Sequence, residues 1–220
     1  MSLNPELIPV RVDPEGIRRK ILTNLIKMLY SRNLILEKNL NKHFEYIKKI
    51  NDDDIYIFKL DNEIKSDSQD KKYKEKFNGL QVAVKIIHQK IQGITKMPII
   101  KDFITQNMSF HKIFIFDGIS EKAKTNLTDL PNIEVFEESF LMLNIIEHID
   151  SPHYELLTED QEKEVMDSYI LKKKEMKKIL TSDPIVFYFN LKRGNIIRII
   201  RPSEQSGNSV DYRIVAKGMS

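Results

Sequence analysis

The chain has 220 residues, 41% of them hydrophobic, enough for one substantial core or two small ones, which excludes a wholly disordered or collagen-like chain. Lys and Arg total 35 against 32 Asp and Glu, a net charge of +3, so any contact with nucleic acid must be local or shared with partners. No Cys occurs, which removes disulfide frameworks, thiolate nucleophiles and Cys-containing zinc sites and fits a reducing, intracellular compartment.

Asp13-Pro14-Glu15 predicts a helix start, an acidic N-cap followed by Pro at the first helical position. Ile17, Ile21, Leu25, Met28 and Leu29 then recur at helical spacing, with Arg18, Arg19 and Lys20 read as the solvated face. A second helix is expected through Leu40, Phe44 and Ile47, and a strand at Ile55-Tyr56-Ile57-Phe58. The polar stretch Asp61 to Lys76 reads as an exposed loop or a short ragged element. Leu80 to Ile87 is a β-branched run, Ile99 to Met108 a helix, and Lys112 to Phe116 an apolar strand ending at the turn dipeptide Asp117-Gly118. Ser120 caps a helix through Ala123 and Leu127, Pro131 breaks it, Ile133 to Phe136 is a short strand, and Glu137 to Leu143 is helical. Strands thus alternate with helices, the pattern of an α/β domain over residues 1–140.

The remainder, 141–220, has a different texture. Thr158-Glu159-Asp160-Gln161 has the form of a capping box and opens a helix through Val165 and Tyr169, and the basic run Lys172 to Lys178 continues as helix. Ser182-Asp183-Pro184 signals another helix start. Gly194 turns into a strand at Asn195 to Arg201, with Ile197 and Ile199 facing opposite to Ile196, Arg198 and Ile200. A second alternating strand at Val210 to Val215 makes a hairpin around a loop from Pro202 to Asn208. The longest apolar runs fall far short of a membrane span, and Met1 to Val10 lacks a signal peptide's apolar stretch, so a soluble protein is expected.

Asn144-Ile145-Ile146-Glu147-His148, Pro152 and His153, Asp183-Pro184, Leu191-Lys192-Arg193-Gly194, Ile199-Ile200-Arg201-Pro202-Ser203-Glu204, Gly207 and Tyr212-Arg213-Ile214-Val215 occur in that order. Together they closely resemble the C-terminal domain of the jaw and assembly subunit shared by eukaryotic-type DNA-dependent RNA polymerases. The smaller archaeal counterpart of that subunit is similar to this part alone. The first part resembles the eukaryotic jaw domain, through its leading amphipathic helix ending near Ser31-Arg32-Asn33 and an apolar strand leading into Ser120 to Leu127.

The resemblance implies an α/β jaw domain of restriction-endonuclease-like fold followed by a small α/β assembly domain with a β-hairpin. It further implies a non-catalytic polymerase subunit, without cofactor, one copy in a hetero-oligomer with the largest subunit and neighbouring small subunits. Residues implied at the subunit interface are His148, Pro152, His153, Asp183, Pro184, Tyr188, Lys192, Arg193, Gly194, Arg198, Arg201, Pro202, Ser203, Glu204, Gly207, Tyr212 and Arg213. The arginines among them suit bidentate bonds to partner carboxylates, although bases on an exposed strand also serve simply to solubilise it. Ser120, Lys122 and Lys124 are implied near downstream duplex DNA, where a few phosphate contacts give weak, sequence-independent binding. Glu121 stands where the family's Thr-Pro-Ser-Ala type motif has Pro. Phe187 replaces a basic or small residue, Asn190 replaces a usual Gly, and Met176 to Ile179 replaces a Leu-Pro pair. Such departures fit a divergent lineage such as a large DNA virus, hence a nuclear place of work in a cell, or the host cytoplasm and virion.

Two rival readings belong beside this one. Glu63-Ile64-Lys65 matches a bare E-x-K pattern, so a Mg-dependent nuclease needs Asp and Glu side chains held around a metal there. A free-standing transcription adaptor that borrowed the polymerase-like domain is the other. His148 and His153 are read as hydrogen-bonded residues of an interdomain link rather than metal ligands.

Overall fold

The computed structural model describes residues 13–49, 55–93, 97–169, 175–203 and 207–218. The chain divides into two compact units, Met1–Tyr30 with Leu34–Leu143, and Ser31–Asn33 with Asn144–Ser220. No helix among the described residues is long and apolar enough to cross a membrane.

The first unit runs α1 (Pro14–Ser31), α2 (Glu37–Lys49), β1 (Tyr56–Lys59), α3 (Lys71–Lys76), β2 (Asn78–Ile91), α4 (Pro98–Gln106), β3 (Phe110–Ile119), α5 (Glu121–Thr128), β4 (Ile133–Glu137) and α6 (Glu138–Met142). Its sheet has the order β1-β2-β3-β4, with β1 antiparallel and the other pairs parallel. Residues paired across strands share a face, so Ala83, Ile87, Phe114, Phe116, Ile133 and Val135 line one side and pack with Ile100 and Phe103 of α4 and Ala123 and Leu127 of α5. Phe103 meets Phe114 edge-on at 5.0 Å, a geometry worth more than its buried area alone. Tyr56, Phe58, Val82, Val84, Ile113, Ile115 and Phe136 are buried on the opposite side. Ile21, Leu22, Leu25, Ile26, Met28 and Leu29 of α1 are likewise buried. Each such side chain contributes about 1.5–3 kcal/mol of transfer free energy, so packing rather than helix propensity holds α1.

Several expectations change here. Arg18 is buried rather than solvated, because α1's apolar band is wider than a single stripe. The stretch Asp61 to Lys76 does hold a short element, but it is tied down rather than fully exposed. Asn132 accepts from the Asp67 amide at 2.9 Å and donates to the Ser66 hydroxyl, Ser68 is buried, and the stretch ends in α3. Asp117 and Gly118 do not turn the chain: β3 passes through them to Ile119 because β2 extends to Ile91 and keeps pairing.

The second unit runs β5 (His153–Leu156), α7 (Glu159–Tyr169), β6 (Lys177–Leu180), α8 (Pro184–Tyr188), β7 (Ile196–Ser203) and β8 (Gly207–Ala216). The hairpin is the centre of a four-stranded sheet of order β5-β7-β8-β6. Lys177 and Lys178 lie in β6, not in a helix, since their partners Arg213 and Ile214 hold them in register; residues 172–174 of that expected helix lie outside the described residues. The expected loop is shorter than Pro202 to Asn208, as Pro202 pairs with Asn208 and Ser203 with Gly207. The capping box forms: the Thr158 amide donates to Gln161 Oε1 at 2.9 Å, and the Gln161 amide to Thr158 Oγ1 at 3.3 Å. Below α7, Met176, Ile196 and Ile214 form a small core with Met166 against it.

Candidate functional site

The strand register sorts the hairpin's side chains into two faces. Glu155, Arg198 and Tyr212 fall in one row on one face, because Glu155 pairs with Arg198 and Arg198 with Tyr212. Arg198 donates from Nη1 to Glu155 Oε2 at 3.0 Å and from Nε to the Tyr212 hydroxyl at 3.1 Å, with its guanidinium 5.4 Å from the Tyr212 ring centre. Those bonds, the one to Tyr212 foremost, raise its pKa further. His153 Nε2 lies 3.4 Å from Glu155 Oε1, and Tyr169 packs on Tyr212.

On the other face Asp211 is shared by two bases, Lys177 Nζ at 2.9 Å and Arg213 Nε at 3.2 Å. Burial opposes ionisation of Asp211, but these two bonds outweigh it and hold the carboxyl below its ordinary range. The Tyr154 hydroxyl is pushed up by burial and then by the Asp183 charge, with Arg201 and Arg213 acting against them. Arg198 and Arg213 therefore find carboxylates within their own unit, whereas the side chains of Arg193 and Arg201 have no hydrogen-bond or ion-pair partner among the described residues. Lys192 is exposed, and its amide donates to Asn195 Oδ1 across the turn. Gly194 in that turn has φ +92°, a conformation L side chains avoid.

Asp183 caps α8 by accepting from the Ile185 amide at 2.9 Å, with Pro184 in the first turn. The helix's far end is met by Arg32, which donates from Nε to the Tyr188 carbonyl at 2.7 Å and from Nη2 to the Phe187 carbonyl at 3.0 Å. Sequence reasoning missed Arg32, since nothing local marks a bond spanning more than 150 residues. It also missed Glu155 and Asp211, although Asp211 and Arg213 share a strand face by alternation alone. Tyr188 is only 2% exposed and its hydroxyl pKa is raised by burial, so its side chain belongs to the unit's interior while Phe187 beside it projects outward. Asn190 takes φ +49°, the left-handed backbone that Asn tolerates best after Gly, which explains how it stands where Gly is usual. His153 opens β5 and is exposed, as are Pro202 and Gly207; Ser203 and Pro152 are half-buried, and exposed His148 accepts from the Asp150 amide. Glu204 lies outside the described residues.

In the first unit Ser120 is the N-cap of α5: its hydroxyl accepts from the Ala123 amide at 3.3 Å and donates to the Gln92 carbonyl at 3.0 Å. With Ser120 engaged locally and Lys124 half-buried with interactions of its own, Lys122 is the more exposed of the two lysines and has no side-chain partner among the described residues. Glu63-Ile64-Lys65 lies between β1 and β2 in no strand. The neighbouring Asp61 carboxylate accepts from the Leu36 amide at 2.7 Å and from Asn39 at 2.6 Å, tying down the entry to α2. These bonds, the Leu36 amide first, keep its pKa low against a partial desolvation. No group of three or more His, Asp or Glu placed to hold a metal occurs among the described residues.

Residues 143–215 match the family described as RNA polymerase Rpb5, C-terminal domain. The whole chain is similar to DNA-directed RNA polymerase subunit 5 of Acanthamoeba polyphaga mimivirus, 32% identical over 221 residues, covering 98% of this chain and 100% of that protein. The chain belongs to the RNA polymerase subunit 5 family. Among cellular members of that family, subunit RPABC1 of RNA polymerases I, II and III from Caenorhabditis elegans is 36% identical over 113 residues, 50% of this chain and 54% of that one. The Dictyostelium discoideum subunit is 30% identical over 128 residues, 56% of this chain and 65% of its own. The family match thus covers the unit in which α8, β7 and β8 carry the interface residues expected from sequence.

Proposed function

We propose that this chain is a non-catalytic subunit of a multisubunit DNA-directed RNA polymerase, present in one copy, whose second unit docks on the largest chain and neighbouring small subunits. The full-length likeness to a viral polymerase subunit 5 carries the reading. A docking module gains from a surface ordered before binding, because ordering loops on contact subtracts from affinity. Capped α8, braced by Arg32, and the four-stranded sheet supply such a surface. Within it the unpartnered Arg193 and Arg201 are the bases that meet carboxylates of the partner, while Arg198 and Arg213 keep their own. Affinity purification of the tagged chain from its native source tests the reading. The large catalytic chains are expected among the co-purifying proteins, and their consistent absence rejects it. A polymerase subunit elutes almost wholly at very high mass in size exclusion of native extract, whereas a free-standing adaptor leaves a large free pool.

The first unit serves as the jaw beside downstream duplex DNA, with Lys122 as the principal phosphate contact and Lys124 in support. Contacts this few are weak and salt-sensitive, as translocating DNA requires. Replacing both lysines with Glu should flatten the salt dependence of elongation-complex stability; an unaltered dependence rejects the contact.

A further inference from the structure

We propose that β8 receives an extended segment of a partner polymerase chain as an added strand along its outer edge at Asn208 and Val210. The proposal rests on the docking reading and names how part of that contact is made.

The edge can be located from the hydrogen-bond ladder. The Val215 amide donates to the Asn195 carbonyl on the β7 side, and the Ala216 carbonyl accepts from the Thr181 amide on the β6 side. The register from Ile196↔Ile214 to Ser203↔Gly207 is unbroken, so the alternation continues down β8. Odd-numbered residues bond β7, and Asn208 and Val210 aim their N–H and C=O groups the other way. Strand β6 pairs only from Arg213 to Ala216, so among the described residues no strand lies beside Asn208 and Val210.

Two other free edges among the described residues are blunted. On β7 the even-numbered residues face β5, whose pairing stops at Ile200; the next outward position is Pro202, which has no N–H to offer. The outer strand β6 carries exposed Lys177 and Lys178, a charge device that discourages strand pairing. Neither Pro nor Lys stands in β8 from Gly207 to Tyr212, and Val210 is 49% exposed. An edge that carries neither of these guards beside two that do is a place for a strand.

The flanking side chains define the occupant. Val210 and its cross-strand neighbour Ile200 share one face, which suits an apolar residue on the incoming strand. Arg201 is opposite Ser209 on the other face, exposed and without an ion-pair partner among the described residues. Its stem is long enough to pass over the small Ser209 side chain, so the incoming strand carries a carboxylate there. The partner is an extended segment alternating apolar and acidic residues.

Two measurements on the full chain test this. In hydrogen exchange, the Asn208 and Val210 amides exchange freely in the isolated chain and slow about tenfold or more in the assembled polymerase. Amides already protected in the free chain, or unchanged in the polymerase, overturn the proposal. Val210→Pro removes an outward N–H and leaves the ladder to β7 intact, so co-purification of the large chains weakens about tenfold, while Val210→Ala stays within about twofold. The β7–β8 amides of Val210→Pro must keep their protection for the comparison to count, and Arg201→Glu, which touches no backbone, gives the second arm with the same loss expected. Equal recovery by wild type, Val210→Pro and Arg201→Glu sinks the added strand alone. Failure of the wild type to recover the large chains sinks the docking reading beneath it.

Discussion

The two units handle ionisable side chains in opposite ways. In the first, His111 and Lys112 are each 1% exposed within the sheet: His111 Nε2 lies 2.7 Å from Glu134 Oε1, and Lys112 Nζ donates to the Phe110 carbonyl at 2.8 Å. In the second, the sheet's charges sit partly or largely exposed and are matched within it, Glu155 with Arg198 and Asp211 with Lys177 across strands and Asp211 with Arg213 along β8. Charges buried in a sheet cannot lose a partner cheaply, because nothing replaces it. Charges at the rim can exchange their partner for water, and a surface of that kind can be recomposed against another protein at small expense to its own fold. The first unit's buried pair is therefore architectural and the second's ion pairs are adjustable.

The difference is broken most directly at Glu134. Replacement by Ala leaves the His111 ring nitrogen without its partner inside the sheet and should destabilise the first unit by up to about 3 kcal/mol, whereas Glu134→Gln, which keeps an acceptor oxygen, should cost less. Hydrogen exchange of the β3 and β4 amides reads the effect, and equal protection in wild type and Glu134→Ala would refute the architectural role. Next comes Gly79. A Cβ there would lie 2.3 Å from the Ile64 carbonyl oxygen and 2.6 Å from Glu63 Cγ, so Gly79→Ala must push the 63–65 segment off β2. About 1–3 kcal/mol of destabilisation is expected by thermal melting, with the Ile64 amide to Gly79 carbonyl bond the first to be lost.

Smaller effects belong to the second unit. Asp183→Ala removes the α8 cap and should cost about 1 kcal/mol, read from amide protection at Ile185. For Arg198→Met, about 0–1 kcal/mol is expected, since both carboxylate and base are partly solvated. A loss of about 3 kcal/mol at Arg198 would put it in the class of Glu134 and dissolve the distinction between the units.

How much of this was legible in sequence depends on the range of the interaction. The hairpin's alternation from Ile196 to Arg201 and from Val210 to Val215 was visible because period two is a property of the strand itself. Strand β5 was not, since His153 to Leu156 is only four residues, too short for the alternation of Tyr154 and Leu156 to stand out, and exists only by pairing with β7. Strand β6 was hidden by its lysines, which mimic a helix's basic last turn until Arg213 and Ile214 supply the register. The bases of the hairpin were readable as a set, but not their division into engaged and open ones. That division turns on Glu155 and Asp211, placed by strands whose pairing is not local.

The adjustable charges can be sharpened by acid. Asp211 ionises below its ordinary range in the folded protein because Lys177 and Arg213 hold its charged form, against the opposing effect of burial. A carboxylate whose folded pKa is depressed binds fewer protons folded than unfolded, so its stabilisation is complete above the unfolded value of about 3.9 and fades as pH falls through the folded one. Asp211→Asn lacks that carboxylate at every pH. Wild type should therefore melt slightly above Asp211→Asn at neutral pH, keep that margin down to about pH 4, and lose it below. A margin that persisted into strong acid would trace the benefit to packing around Asp211 rather than to its charge. Lys177 and Arg213 would then be as available to a partner's carboxylates as Arg193 and Arg201.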